Sequence, residues 1–119
     1  METVLVVDDD RLLRETLLEL VDDCGCNGLQ AADGHTALQL FTQHHIDLVV
    51  SDVDMPEMSG FELLARLQQA AFSGPIILAS ARADGDMEQA AQRAGASGLF
   101  TKPVPVGDFC RKLTTLLSL

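Results

Sequence analysis

Tryptophan and tyrosine are absent from this chain, and its five aromatic side chains are all phenylalanine. So few flat rings offer little platform for stacking nucleobases. Positive charge is also scarce: eight Lys and Arg stand against 18 Asp and Glu, a net charge of −10. A surface of that sign repels phosphate backbones and anionic bilayers, so no direct binding to nucleic acid or membrane is expected. Strictly apolar runs stop at four residues, as in Val4–Val7 and Ile76–Ala79. That predicts neither a membrane-spanning helix nor the apolar stretch of a secretory signal. There are only three cysteines. Cys24 and Cys26 flank Gly25, Cys110 is distant in sequence, and no Cys-x-x-Cys or histidine spacing suggests zinc. The pattern predicts reduced thiols in a cytoplasmic protein.

What is present describes a globular domain. Hydrophobic residues make up 47% and charged residues 22% of 119 positions, which suits one domain over residues 1–119. Short apolar runs alternate with helical patterns. Strands are expected at Thr3–Val7, Gly28–Ala31, Ile46–Ser51, Ile76–Ala79 and Gly98–Thr101. The first helix carries Leu13, Leu17, Leu20 and Val21 at helical spacing, with Asp9 or Asp10 to cap it and Gly25 to end it. The second follows Asp33-Gly34 and ends near His44-His45. The third is capped by Ser59 and carries Phe61, Leu63, Leu64 and Leu67. Two more are expected at Asp84–Ala94 and Val106–Leu117. Five strands alternating with five helices predict right-handed βαβ units, hence an α/β fold with a parallel sheet covered on both faces. Ligands in such sheets sit beyond the carboxyl ends of the strands, where strand order reverses.

The polar residues at those ends carry the chemistry. Asp8 and Asp9 close the first strand, Asp52 the third, Ser80 the fourth and Lys102 the fifth. Each alone reads blandly, as a helix cap, a turn or a loop lysine. Parallel strands would gather all five on one edge. Three neighbouring carboxylates repel unless a cation binds, and their hard oxygens suit Mg²⁺. A lysine and a hydroxyl beside them complete the composition of a phosphoryl-transfer site.

Longer motifs sharpen this reading. Val4-Leu5-Val6-Val7-Asp8-Asp9-Asp10, Asp33-Gly34-x-x-Ala37-Leu38, Asp47-Leu48-Val49-Val50-Ser51-Asp52-Val53-Asp54-Met55-Pro56-Glu57-Met58-Ser59-Gly60 and Gly95-Ala96-x-Gly98-x-x-x-Lys102-Pro103 occur in that order. The chain so resembles a receiver domain of a bacterial response regulator. The resemblance implies a flavodoxin-like (βα)5 fold, doubly wound, with strand order 2-1-3-4-5. It implies a Mg²⁺-dependent phosphoacceptor, not an enzyme with turnover: Asp52 takes a phosphoryl group from a sensor histidine kinase or histidine phosphotransfer protein. Asp8, Asp9, Asp52 and the backbone carbonyl of Asp54 would hold Mg²⁺. Ser80 would be the switch hydroxyl, Lys102 would contact the acyl phosphate, and the bond from Lys102 to Pro103 would be cis. The face of helix four, strand five and helix five would meet an output domain or partner. One position departs from the family. The aromatic expected two residues into strand five is Leu99, and Phe100 should lie on the opposite face.

Several residues invite other readings. His44 and His45 are expected at the C-terminal end of the second helix, where the dipole favours histidine. Met55 and Met58 are expected to pack locally. Leu12 and Leu18 lie off the main apolar stripe of the first helix and read as exposed leucines, Leu12 being placed to help dock a kinase or phosphotransfer helix. Two other functions fit parts of the pattern. Asp52-x-Asp54 resembles the catalytic pair of haloacid-dehalogenase-type phosphatases, although that pair follows the first strand and here follows the third. A phosphorylation-independent pseudo-receiver scaffold would not need the complete set of site residues.

Overall fold

The computed structural model describes residues 1–119. Strands and helices alternate as β1 (Thr3–Val7), α1 (Arg11–Asp23), β2 (Asn27–Ala31), α2 (Gly34–Gln43), β3 (Leu48–Asp52), α3 (Gly60–Gln69), β4 (Ile76–Ser80), α4 (Gly85–Ala94), β5 (Gly98–Thr101) and α5 (Val106–Leu117). The strands form one sheet in the order β2-β1-β3-β4-β5, and every pairing is parallel. Strand order reverses between β1 and β3, so a crevice opens at their carboxyl ends.

Every residue of β3 and β4 is buried, as continuous apolar strands covered on both faces must be. Side-chain alternation sorts the core into two layers. Leu5, Val7, Val49 and Leu78 join Leu63, Leu64 and Leu67 of α3 and Ala91 of α4. Val4, Val6, Leu48, Val50 and Ile77 face the other way, against Leu17, Leu20 and Val21 of α1 and Phe109 and Leu113 of α5.

Element ends differ from the expected ones where ladder bonds or caps decide. The third strand is Leu48–Asp52 rather than Ile46–Ser51. Asp52 pairs with Ala79 on β4, while Asp47 precedes the strand and its carboxylate accepts from the Thr3 N–H at 2.8 Å. Ser80 belongs to β4 because it pairs with Thr101, and Asn27 starts β2 opposite Thr3. Asp10, not Asp9, caps α1, accepting from the Leu12 and Leu13 N–H groups. Asp9 is thereby left free beside Asp8. Asp84 caps α4 from outside the helix. His44 and His45 lie just beyond α2, with His44 extended and His45 paired to Asp47 at 3.0 Å, so the dipole argument does not apply to them as helical residues. Leu18 is half-buried rather than exposed: its side chain lies over Gly28 of β2, where an added Cβ would come within 2.9 Å of it. Leu12 is 72% exposed, as expected.

Candidate functional site

The third strand delivers Asp52 to the crevice, and the chain must then leave it sharply. The Gly60 N–H donates to the Val53 carbonyl at 2.9 Å, folding α3 back over the strand end. A Cβ on Gly60 would collide with the Asp52 carbonyl and come within 3.0 Å of the Val53 Cα. Glycine at this position therefore permits the close approach that sets the Asp52 backbone. Met55 and Met58 pack beneath the loop and are buried.

Register places the other groups around Asp52. Val7 pairs with Ser51, so Asp8 emerges next to Asp52. One oxygen each of Asp8, Asp9 and Asp52 lies within 4.8 Å of the others. Lys102 directly follows the end of β5, and its bond to Pro103 is cis. Its Nζ stands 2.8 Å from Asp8 Oδ2 and 3.0 Å from Asp52 Oδ1. Ser80, fully buried at the end of β4, donates to Asp54 Oδ2 at 3.2 Å and accepts from the Arg82 N–H at 3.1 Å. The Arg82 guanidinium pairs with Asp54 Oδ1 at 3.2 Å, both side chains remaining largely exposed.

Two buried carboxylates thus share one ammonium, with Asp9 open to solvent. Burial pushes the Asp52 carboxyl above the usual range; the hydrogen bond and charge of Lys102 oppose this, and Asp8 adds to it. Burial pulls the Lys102 ammonium down, but its hydrogen bonds to Asp8 and Asp52 win and hold it above its ordinary value. One ammonium thus faces three carboxyl groups. The donor set, three hard oxygens within reach of one another, fits a small divalent cation such as Mg²⁺.

Asp8, Asp9, Asp52 and Lys102 come together as expected, whereas Ser80, at the end of the neighbouring strand, engages Asp54. One participant was not singled out in advance. Arg14 donates from its guanidinium to the Asp8 carbonyl at 2.8 Å and to Gln30 Oε1 of β2 at 2.9 Å, so it steadies the backbone bearing the acidic pair. The clue was its place on the first turns of α1, one helical repeat past the cap. The Asp54 carboxylate pairs with Arg82 and also holds Ser80, a contact that depends on rotamers that spacing does not specify. In β5, Leu99 packs with the α2–α3–α4 layer. Phe100 lies on the α1–α5 side, edge-on to Phe109 at 6.0 Å between centroids.

Fold and site together define a doubly wound α/β domain whose switch-point crevice holds carboxylates, a lysine and a hydroxyl. The model of the response regulator receiver domain family matches residues 4–114, and the chain belongs to that family. It is 34% identical over 111 residues to the sensor histidine kinase RcsC of Escherichia coli (strain K12), covering 93% of this chain and 12% of that protein. It is 34% identical over 114 residues to the response regulator MprA of Mycolicibacterium vanbaalenii, covering 96% of this chain and 49% of that one. The chain therefore spans a minor part of the length of these relatives. Among solved structures, chemotaxis protein CheY4 of Vibrio cholerae superposes with a TM-score of 0.89 at 30% identity, over 98% of each chain. The protein is a receiver domain of two-component signalling. Neither the phosphatase nor the scaffold alternative is favoured. No helix is long and apolar enough to cross a membrane.

Proposed function

We propose that Asp52 is the phosphoacceptor and takes a phosphoryl group from the phosphohistidine of a sensor kinase or phosphotransfer protein. The observation that carries this reading is the buried Asp52 carboxylate, 3.0 Å from Lys102 Nζ and grouped with Asp8 and Asp9. An Asp52 oxygen attacks phosphorus, the phosphorus–nitrogen bond breaks, and the imidazole leaves with the electron pair. Lys102 neutralises charge on the phosphoryl oxygens as it develops. Asp8, Asp9, Asp52 and the Asp54 carbonyl would hold Mg²⁺, which when bound adds further neutralisation of that charge. The exposed Val106 lines, with Leu13, Leu17 and Leu20 of α1, a small apolar cavity of about 80 Å³ beside this edge, and the exposed Leu12 lies on the same helix. A partner helix bearing the phosphohistidine can seat there.

The test is incubation with acetyl phosphate and Mg²⁺. We expect at most one acid-labile phosphoryl group per chain and no turnover of p-nitrophenyl phosphate. Sustained turnover would support the phosphatase reading instead, and no labelling with either donor class would support the scaffold.

On phosphorylation Ser80 gains an anionic acceptor stronger than Asp54 and turns inward, drawing the 80–84 loop that leads into α4. Leu99 has no hydroxyl to complete a switch bond. The signal therefore reaches the α4–β5–α5 face mainly through that loop, where Met87, Arg93, Arg111 and Lys112 are the residues offered to an output domain or partner. Asp54 and Arg82 shield the mouth through which hydrolytic water approaches. An exposed pair of this kind is worth about 0.2–1 kcal/mol. Asp54→Ala and Arg82→Ala proteins are accordingly expected to dephosphorylate faster, by no more than about fivefold. Unchanged phosphate lifetimes in both variants would remove the shield from the mechanism.

A further inference from the structure

The two half-buried cysteines form the one cluster of nucleophilic side chains outside the acidic crevice. Cys24 caps the C-terminal end of α1, and Cys110 lies in α5. They are 86 residues apart in sequence, yet their Sγ atoms stand 2.6 Å apart. Both helices pack on the same side of the sheet. A disulfide bond is about 2.05 Å long, so closing it shortens the Sγ–Sγ separation by about half an ångström. Cys26 is buried in the core layer on the same side of the sheet and serves as an internal control.

We propose that Cys24 and Cys110 are a reversible oxidation site, closed to an intrachain disulfide by peroxide or by a low-molecular-weight disulfide. With peroxide, the Cys110 sulfur attacks one oxygen, the oxygen–oxygen bond breaks, and a sulfenic acid and one water result. The Cys24 sulfur then attacks the sulfenic sulfur, the sulfur–sulfur bond forms, and a second water leaves. Two electrons pass from the thiol pair to the peroxide. With glutathione disulfide, two successive exchanges release two glutathione thiols. The order of attack follows from the environment of Cys24. Burial first, then the Cys110 sulfur, push its pKa up to about 12, so Cys24 resolves rather than initiates.

The consequence falls on α5. This helix has no side-chain cap at its start and is held to the body through Phe109 and Leu113. A covalent tie at Cys110, beside Arg111 and Lys112, restrains the helix without touching the carboxylates at the strand ends. Oxidation and Asp52 chemistry are separate properties, and either can fail without the other.

The experiment treats the native full chain with glutathione disulfide or with diamide, then digests it without reductant. A peptide joining Cys24 to Cys110 is expected by mass spectrometry. The melting midpoint is expected to rise by about 10 °C, as closing so long a loop restricts the unfolded chain, and dithiothreitol should reverse both changes. Amide exchange in α5 should slow. Cys26→Ser should leave the link and the shift intact. Cys24→Ser should stop at a mixed disulfide of Cys110 with glutathione, and Cys110→Ser should show neither link nor shift. Absence of the joined peptide from the oxidised native protein, or its appearance only after denaturation, would overturn the proposal. A link that uses Cys26 instead would do the same.

Discussion

Asp52→Asn is expected to abolish acid-labile labelling by acetyl phosphate, to background, while making the Mg²⁺-free protein more stable at neutral pH. The first effect follows from loss of the attacking oxygen. The second follows from the environment of the carboxyl group. Burial, with Asp8 adding to it, raises the folded-state pKa of Asp52 above its unfolded value, despite Lys102. The folded chain therefore holds this proton more tightly than the unfolded chain does. Its contribution to stability is complete below the unfolded pKa, about 3.9, and is lost as pH rises through the folded pKa. Once pH exceeds the folded-state pKa that contribution is gone, and an ionised Asp52 sits against Asp8. Asparagine keeps the shape and removes the charge. Thermal melting in a chelator should show the variant ahead of wild type at pH 7, with the gap closing toward about pH 4. Wild-type labelling of the variant would end the assignment of Asp52.

The Lys102→Met protein should suffer the largest loss of stability. Its ammonium is mostly buried and is shared by Asp8 Oδ2 and Asp52 Oδ1 at 2.8 and 3.0 Å. Removing one member of a buried ion group leaves uncompensated charge and costs about 3–5 kcal/mol. Here Asp52 can take up a proton instead, which places the expectation near the low end, about 3 kcal/mol without Mg²⁺. A divalent cation at the same carboxylates offsets this by mass action, about 2.7 kcal/mol at a hundredfold excess over its dissociation constant. Denaturant melts with and without Mg²⁺ measure both quantities. The variant should gain more from Mg²⁺ than wild type does, because the ion no longer competes with the ammonium. Asp8→Asn and Asp9→Asn should gain less. A Lys102→Met protein as stable as wild type in chelator would mean that the lysine contributes nothing to holding the carboxylates together.

Much of the fold was legible because its signals are local. Val4–Val7 and Leu48–Val50 are apolar without alternation, which only a strand covered on both faces tolerates. Leu13, Leu17, Leu20 and Val21 repeat at helical spacing, and Ser59 and Gly95 act as a cap and a stop within their own turns. The strand-end positions of Asp8, Asp52, Ser80 and Lys102 followed from those same patterns. The boundaries were less legible. Whether Ile46 or Leu48 opens β3 depends on which N–H groups find partners on β1 and β4, and those partners lie dozens of residues away.

Sequence alone determined the alternation of strand and helix, the parallel sheet it compels, and the kinds of side chain delivered to its carboxyl edge. Hydrophobic period and turn chemistry act over a few residues, so the chain carries them wherever it folds. Tertiary structure decided the rest. It set Lys102 between Asp8 and Asp52, engaged Ser80 with Asp54, let Arg14 steady the Asp8 carbonyl, and brought Cys24 against Cys110. Apart from Arg14 and Asp8, those pairings join residues far apart in sequence at distances near 3 Å, where sheet register and side-chain rotamer decide contact. Neither is written in spacing along the chain, because both are settled only when the two layers of the core pack against the sheet.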